Sequence, residues 1–360
     1  MNKQIVGFKI MNLTKKIEKV EEILKGKDIV IAFSGGADST LIAYLAKKVA
    51  NNILAVTLNN EIMPSNFLNN AKKIANSIGI EHEIINENFL EVDKFKENNP
   101  NRCYLCRSIM YSNIKKLAEE KGFETIVDGT NISDLLEDRP GIMINYENDI
   151  LSPLVNAGIE KEDVLEYLKE NNIEYSKSTT CLATRIKTGQ EITVKKINRI
   201  KYAEDFIKNL THSETIRVRD IENTAQIELE NIDLLLNRNT LKLVESELKA
   251  VNFEKITLDI GTKVHEKKDI VIYKPCKDEA NKIMFENELP YNIDIGKTCP
   301  NLEKLGKLKC SEKMGVAMLD INGRNVTLFE NGKIVARKVK DKEDAQNILI
   351  EVLPMIRRII

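Results

Sequence analysis

Apolar positions in the first half of the chain follow two spacings. Residues 11–26 (MNLTKKIEKVEEILKG) repeat at helical spacing and close on Gly26, predicting an amphipathic helix with a C-terminal stop. Asp28–Phe33 is instead a short continuous apolar run, which suits a strand buried on both faces. Leu41, Ile42, Leu45, Ala46 and Val49 then share one helical face, and Ile53–Leu58 reads as a second strand. A helix over 66–78, a strand at Glu83–Ile85, a helix after Arg107 and a strand at Thr125–Asp128 continue the alternation. Strands alternating with helices predict an α/β fold on a doubly wound parallel sheet, assigned to residues 1–186.

Beyond residue 186 the pattern changes. A helix over 191–210, strands at Ile216–Arg219 and Ala225–Leu229, a helix over 231–249 and a strand over 255–259 predict a small α+β unit, residues 187–262. Residues 263–360 read as a further α+β unit. Val316–Asp320, Asn325–Phe329 and Lys333–Val339 form a meander turning at Asn322-Gly323 and Asn331-Gly332, and Asp341 caps a last helix to about Ile356.

Composition narrows the class. With 42% hydrophobic and 30% charged residues among 360, the balance is that of an ordinary globular protein. The 54 Lys+Arg and 55 Asp+Glu leave a net charge of −1, without the global positive field of a nucleic-acid binder. Residues 263–360 alone are mildly basic, 19 Lys+Arg minus 15 Asp+Glu giving +4. No apolar run approaches the ~18 residues that span a bilayer, and the N-terminus lacks a signal-peptide pattern. A cytoplasmic protein without a membrane or nucleic-acid partner is expected. Its six cysteines are then expected as reduced thiols or metal ligands, not structural disulfides.

The first chemical motif is Ser34-Gly35-Gly36-Ala37-Asp38-Ser39, between a buried strand and a helix. Glycines let the backbone approach an anion, and the helix start offers free N–H groups and the positive end of its dipole. The loop is neither a Walker motif nor G-x-G-x-x-G. It resembles the PP-loop of the ATP pyrophosphatase superfamily, whose members cleave ATP to AMP and pyrophosphate, usually by adenylating a substrate oxygen. The resemblance implies that Ser34, Gly35, Gly36, Asp38 and Ser39 bind ATP and that Asp38 holds Mg²⁺ against the leaving pyrophosphate. Gly129 and Thr130, in Asp128-Gly129-Thr130-Asn131 at the end of a strand, are further nucleotide candidates.

Cys103-Tyr104-Leu105-Cys106 is a C-x-x-C read as preceding a helix, and alone it fits a redox pair, half a zinc site or half a cluster site. Cys181 adds a third thiol, and none of the three histidines is spaced as a fourth ligand. Three thiolates without a fourth ligand suit a [4Fe–4S] cluster with one open iron. Cys276, Cys299 and Cys310 match no trusted metal spacing and read as buried structural cysteines.

The ordered set Ser34–Ser39, Asn99–Arg107, Asp128–Asn131, Asp138–Gly141, Leu151–Leu154, Cys181–Ile186, Gly189–Thr193 and Ile216–Arg219 resembles the LarE family, pyridinium-3,5-biscarboxylic acid mononucleotide sulfurtransferases, over about residues 10–260. The resemblance implies an enzyme that uses ATP and Mg²⁺ to adenylate a carboxylate of that mononucleotide. Sulfur then replaces the activated oxygen, on the way to a nickel pincer cofactor. It implies catalytic roles for Asp38, Cys181 and Arg185. Substrate contacts are assigned to Arg185, Arg217, Arg219, Asp134 and Glu204, and a [4Fe–4S] cluster to Cys103, Cys106 and Cys181. Sulfide or another sulfur donor is a required partner, and a homo-oligomer is expected. Where the family usually has a His-Gly turn after Arg-Val-Arg, this chain has Asp220-Ile221-Glu222-Asn223. Three rivals stand beside this reading: a cluster-dependent tRNA thiolase, an ammonia-using synthetase and a nucleotide-binding module without turnover. All matched motifs precede residue 262, so a chain cut there is expected to keep its chemistry.

Overall fold

The computed structural model describes residues 2–177, 179–213, 215–261, 271–273 and 283–360. Cys276 and the expected boundary at Thr262 lie outside the described residues.

The apolar run after Gly26 becomes a central strand because both its faces find cover. α1 (Asn2–Leu24) leads into β1 (Asp28–Ala32), α2 (Ala37–Val49), β2 (Asn52–Asn59), α3 (Phe67–Ile78) and β3 (Glu81–Asn86). After the single turn α4 (Asp93–Lys96), α5 (Arg102–Lys121) delivers β4 (Thr125–Val127). The four strands form one parallel sheet in the order β3-β2-β1-β4. Ile29 and Ile31 pack with the buried faces of α1 and α2 on one side. Val30 packs with Tyr111 and Ile114 of α5 on the other. The chain leaves β1 in one direction toward β2 and returns on the other side at β4, so a crevice opens past the carboxyl ends of β1 and β4.

α5 starts at Arg102, before the expected helix after Arg107, so Cys103 and Cys106 lie inside its first turns, three residues apart on one face. The apolar stripe of those turns is Leu105, Cys106 and Ile109, which a motif-centred reading leaves out. Three short helical turns, α6 (Ile132–Leu135), α7 (Met143–Glu147) and α8 (Pro153–Asn156), and a longer helix, α9 (Lys161–Glu170), follow β4.

The second unit is α10 (Val194–Thr211), the hairpin of β5 (Ile216–Ile221) and β6 (Thr224–Leu229), α11 (Arg238–Ala250), and β7 (Lys255–Leu258), parallel to β6. The hairpin closes on Glu222 and Asn223, both left-handed at φ 51° and 66°, the geometry of a two-residue turn that matches strand twist. α11 begins later than the expected 231, because the Asn237 side chain accepts from the amides of Asn239 and Thr240 and fixes the start there. Its core is shared with Leu58, Ile62, Phe89, Phe95 and Leu182, so the unit is packed onto the parallel sheet's carboxyl end.

The C-terminal unit adds β8 (Val271–Tyr273), β9 (Ile283–Glu288), α12 (Ile295–Leu302), β10 (Lys307–Ser311), β11 (Val316–Ile321), β12 (Arg324–Phe329), β13 (Lys333–Val339) and α13 (Lys342–Val352). The expected meander is present inside an antiparallel sheet ordered β10-β11-β12-β13-β9-β8. Cys299 of α12 and Cys310 of β10 are joined by a disulfide, against the expectation of six reduced or metal-bound cysteines. The helix and the edge strand bring them together through a fold contact that their spacing of 11 positions does not disclose.

The core of this unit includes Ile132, Leu135, Ile142 and Val155 of the first. At Gly158, with φ +68°, an added Cβ would stand 2.8 Å from Ile350 Cγ2 of α13.

Candidate active site

Two loops meet at the crevice. Gly35 takes φ +70°, and a Cβ there would lie 3.0 Å from the Ala71 Cα. Hydroxyls fold the turn on itself: Ser34 Oγ and Ser39 Oγ are 3.1 Å apart, Gly36 N donates to Ser34 Oγ, and Ser39 Oγ donates to Gly36 O. α2 starts immediately after, aiming its free amides at the same space. Across the crevice Gly129 lies flat against this helix start. A Cβ on it would stand 2.8 Å from Ser39 N and 2.9 Å from the Asp38 carbonyl carbon.

Asp38 accepts from Asn131 Nδ2 at 2.8 Å. Burial first, and then the carboxylate of Asp134, push its carboxyl up to about 6, against Asn131 and Arg139. Burial likewise raises Asp134, which Arg139 Nη1 meets at 2.7 Å. Asn131 and Asp134 hold each other in a capping box at the start of α6. Two half-hidden carboxylates beside an amide-rich turn want a cation, so the donor set fits Mg²⁺. Asp134, expected at the substrate, is placed here facing the loop of Asp38.

Asp128 organises the second wall. It is buried and accepts from Tyr111, Asn145 and Ser152 at 3.0, 2.9 and 2.7 Å, and also from Thr130 and Arg107. Burial alone would raise its carboxyl, but Arg107 and these donors hold it below the ordinary range. The Thr130 hydroxyl is consumed in this network, which leaves Gly129 as the part of the pair that abuts the loop. Arg107 continues the path toward the cysteines: Gly141 fits between its side chain and the Cys103 carbonyl, each 3.1 Å from an added Cβ.

Cys103, Cys106 and Cys181 are free, and although 75 positions separate the last two, the charges of Cys103 and Cys181 both act on Cys106. Burial pushes the Cys106 thiol up to about 12, with Cys181 and Cys103 adding to it. Burial also raises Cys181, against Arg102 and Arg185. A latch ties the start of α5 to the 183–190 segment. Asn98 is fully buried, left-handed at φ 56°, and donates to the carbonyls of Lys187 and Gln190 at 2.9 and 2.8 Å. Arg102 Nη1 reaches the Ala183 carbonyl at 3.1 Å, and its Nη2 stands 3.8 Å from Cys103 Sγ. Among the described residues no group of three or more His, Cys, Asp or Glu side chains is arranged to hold a metal ion. A cubane takes each thiolate at a different iron and so spreads them wider than a single ion does. The donor set fits a cluster in number and kind.

The arginines divide by partner. Arg185 is buried, donating to Glu204 Oε1 at 2.7 Å and to the hydroxyls of Thr180 and Thr184. Glu204 also accepts from Val218 N at 3.0 Å, and burial raises its carboxyl against the pull of Arg185. Arg219 is forked onto Glu228 and donates to the Thr184 carbonyl at 3.2 Å. Arg217 sits on the same strand, half-buried, with no side-chain hydrogen bond or ion pair among the described residues, and its charge helps hold Glu204 down. Sequence reasoning missed Arg102, Arg107, Arg139 and Asn98 as site residues. Arg107 lies one turn beyond Cys103 in the same helix, a spacing that aligns them and could have flagged it.

Residues 9–144 match the family model of a PP-loop domain. The chain is 34% identical over 251 residues to an uncharacterized protein of Methanocaldococcus jannaschii, covering 70% of this chain and 96% of that one. It is 32% identical over 254 residues to an uncharacterized protein of Synechocystis, covering 69% and 94%. It is also 29% identical over 255 residues to the pyridinium-3,5-bisthiocarboxylic acid mononucleotide synthase of Lactiplantibacillus plantarum, covering 69% and 91%. Among the described residues no helix is long and apolar enough to cross a membrane.

Proposed function

Because this chain belongs to the LarE-like family of PP-loop proteins, we propose that it is an ATP-dependent sulfurtransferase of cofactor biosynthesis. Its acceptor is a carboxylate of pyridinium-3,5-biscarboxylic acid mononucleotide, activated as the adenylate before sulfur replaces the oxygen. The observation that carries this reading is the Ser34–Ser39 turn packed against Gly129, with free Cys103 and Cys106 on the helix that carries Arg107 to Asp128.

The Ser34–Ser39 turn and the start of α2 receive the phosphates of ATP, since both present backbone donors to one space. Asp38 and Asp134 would hold Mg²⁺, whose chemistry there is neutralisation of the departing pyrophosphate. Arg217, which makes no side-chain hydrogen bond or ion pair among the described residues though its charge acts on Glu204, is assigned to the acceptor's phosphate or second carboxylate. Arg185 and Arg219 are already paired, so they act through position, stiffening the 180–185 turn that presents Cys181. Cys103, Cys106 and Cys181 would hold a [4Fe–4S] cluster, which when bound supplies one iron free of protein ligands for an exogenous sulfide.

Anaerobic purification with iron and sulfide analysis, followed by turnover with ATP, sulfide and the acceptor, tests this. Alanine at any of the three cysteines is expected to lose most of the iron and the thiolated product, with more than one product per chain in the wild type. Dehydroalanine at position 181 in proportion to product would replace the cluster route with a sacrificial cysteine.

A further inference from the structure

The stretch from Ile132 to Val155 touches both ends of the candidate site. Asp134 and Arg139 face Asp38, Gly141 packs on the Cys103 carbonyl, and Asn145 and Ser152 hold Asp128. The C-terminal unit grips this stretch from behind. Ile132, Leu135, Ile142 and Val155 share one core with Ile293, Leu353 and Ile356.

Polar contacts act at the same place. Tyr291 donates its hydroxyl to the Leu135 carbonyl at 2.7 Å. Arg358 Nη2 donates to Asp138 Oδ1 at 2.7 Å, and its guanidinium lies 4.7 Å from the Tyr291 ring centre. The Nε and Nη1 of Arg358 are buried with no acceptor among the described residues, so Asp138 is the carboxylate that answers this charge. Arg139, the next residue, is 49% exposed at its side chain. Its guanidinium is shared between Asp134 and Glu137, at 2.7 Å from each, so its reach to Asp134 follows the backbone of the turn that carries both Glu137 and Arg139. The turn is tied at both ends, at the Leu135 carbonyl by Tyr291 and at the Asp138 side chain by Arg358.

We propose that the C-terminal unit is a positioning element of the active site, in which Tyr291 and Arg358 clamp the 135–138 turn and so set Asp134 and Arg139 opposite the Ser34–Ser39 loop. The proposal rests on the reading of that loop as an ATP site for its ligand-binding consequence alone. The clamp itself stands on the contacts. Misplacing Asp134 and Arg139 weakens the hold on the phosphates and their cation, which bind before any chemistry occurs, so the effect falls on affinity.

The full-length chain carrying Tyr291→Phe, Arg358→Met or Arg358→Lys decides it by two measurements. The first is amide hydrogen exchange without nucleotide, comparing peptides over 132–142 with peptides over β1–β3. The second is the dissociation constant of MgATP by calorimetry. Tyr291→Phe and Arg358→Met are expected to speed exchange in 132–142 about tenfold while β1–β3 keep their rates, and to weaken MgATP about fivefold or more. Arg358→Lys, which keeps a cation toward Asp138, should recover most of that affinity. Unchanged exchange at 132–142 in folded Tyr291→Phe and Arg358→Met overturns the clamp. Equal acceleration throughout overturns it in favour of general destabilisation, and faster local exchange with unaltered MgATP affinity overturns the positioning role. A wild type that binds no ATP sinks the ATP reading, and with it the ligand-binding half, while the exchange rates still decide the clamp.

Discussion

Asp38 has opposite consequences for stability and for chemistry. Its carboxyl titrates near 6 in the folded chain, above its ordinary value of 3.8, so the folded state holds the proton more tightly than the unfolded one. The unfolded chain therefore binds fewer protons between those two values, and stability falls as pH rises through that window. At pH 7 the penalty is fully present, at most about 3 kcal/mol. Asp38→Asn keeps an acceptor for Asn131 and removes the charge. The variant is expected to melt higher than wild type at pH 7 without metal, to converge with it near pH 4, and to release no pyrophosphate. A variant that melts lower at pH 7 would show that the carboxylate is not under strain. The residue types of this site were legible in the chain: S-G-G-A-D-S announces its own turn. Their partners were not. Nothing in the sequence brings Asp134 to Asp38 or consumes the Thr130 hydroxyl at Asp128, because both depend on how α6 and the Ser152 segment cross the sheet edge.

At the scale of elements, the site depends on surfaces that touch without side chains between them. Gly129 is the closest such approach, its missing Cβ lying 2.8 Å from Ser39 N. Backbone there cannot swing aside as a side-chain tip does. Gly129→Ala is therefore expected to push the end of β4 away from α2, lowering MgATP affinity at least tenfold and stability by about 1–3 kcal/mol. Calorimetry and denaturant unfolding read the two effects, and an alanine variant with wild-type affinity would remove Gly129 from the wall. The parallel strands were readable because a strand covered on both faces is apolar throughout. The start of α5 was not readable, since its buried stripe runs through the cysteine motif itself. β8, β9, α12 and β10 were missed for a related reason: strands that alternate around charged residues carry a weak period.

For the whole molecule, the packing argues against one expectation. Since every matched motif precedes residue 262, the last unit looked dispensable. The structure buries Ile132, Leu135, Ile142 and Val155 to 1%, 5%, 6% and 6% exposure against that unit. Each such side chain contributes about 1.5–3 kcal/mol when fully buried, so exposing even part of this seam removes much of the 5–15 kcal/mol that holds an ordinary domain. A chain ending at residue 261 is expected to unfold well below the full-length protein and to bind a hydrophobic dye. A fragment that melts with the full chain would restore the dispensable reading. The meander was visible in the sequence, but its docking was not, because Tyr291, Arg358 and their targets lie 156 and 220 positions apart.

The contact at Gly158 extends this to evolutionary constraint. Its left-handed backbone alone would admit asparagine, which visits that region at modest cost. The Ile350 methyl 2.8 Å from the missing Cβ adds a second cost, since any side chain there must displace it. Position 158 is thus doubly restricted only in chains that carry the α13 partner. Across relatives, glycine there should co-vary with possession of the C-terminal unit, and shorter relatives should drift to asparagine or aspartate. An alignment split by chain length reads this directly, and glycine kept equally in both groups would trace the constraint to the turn alone.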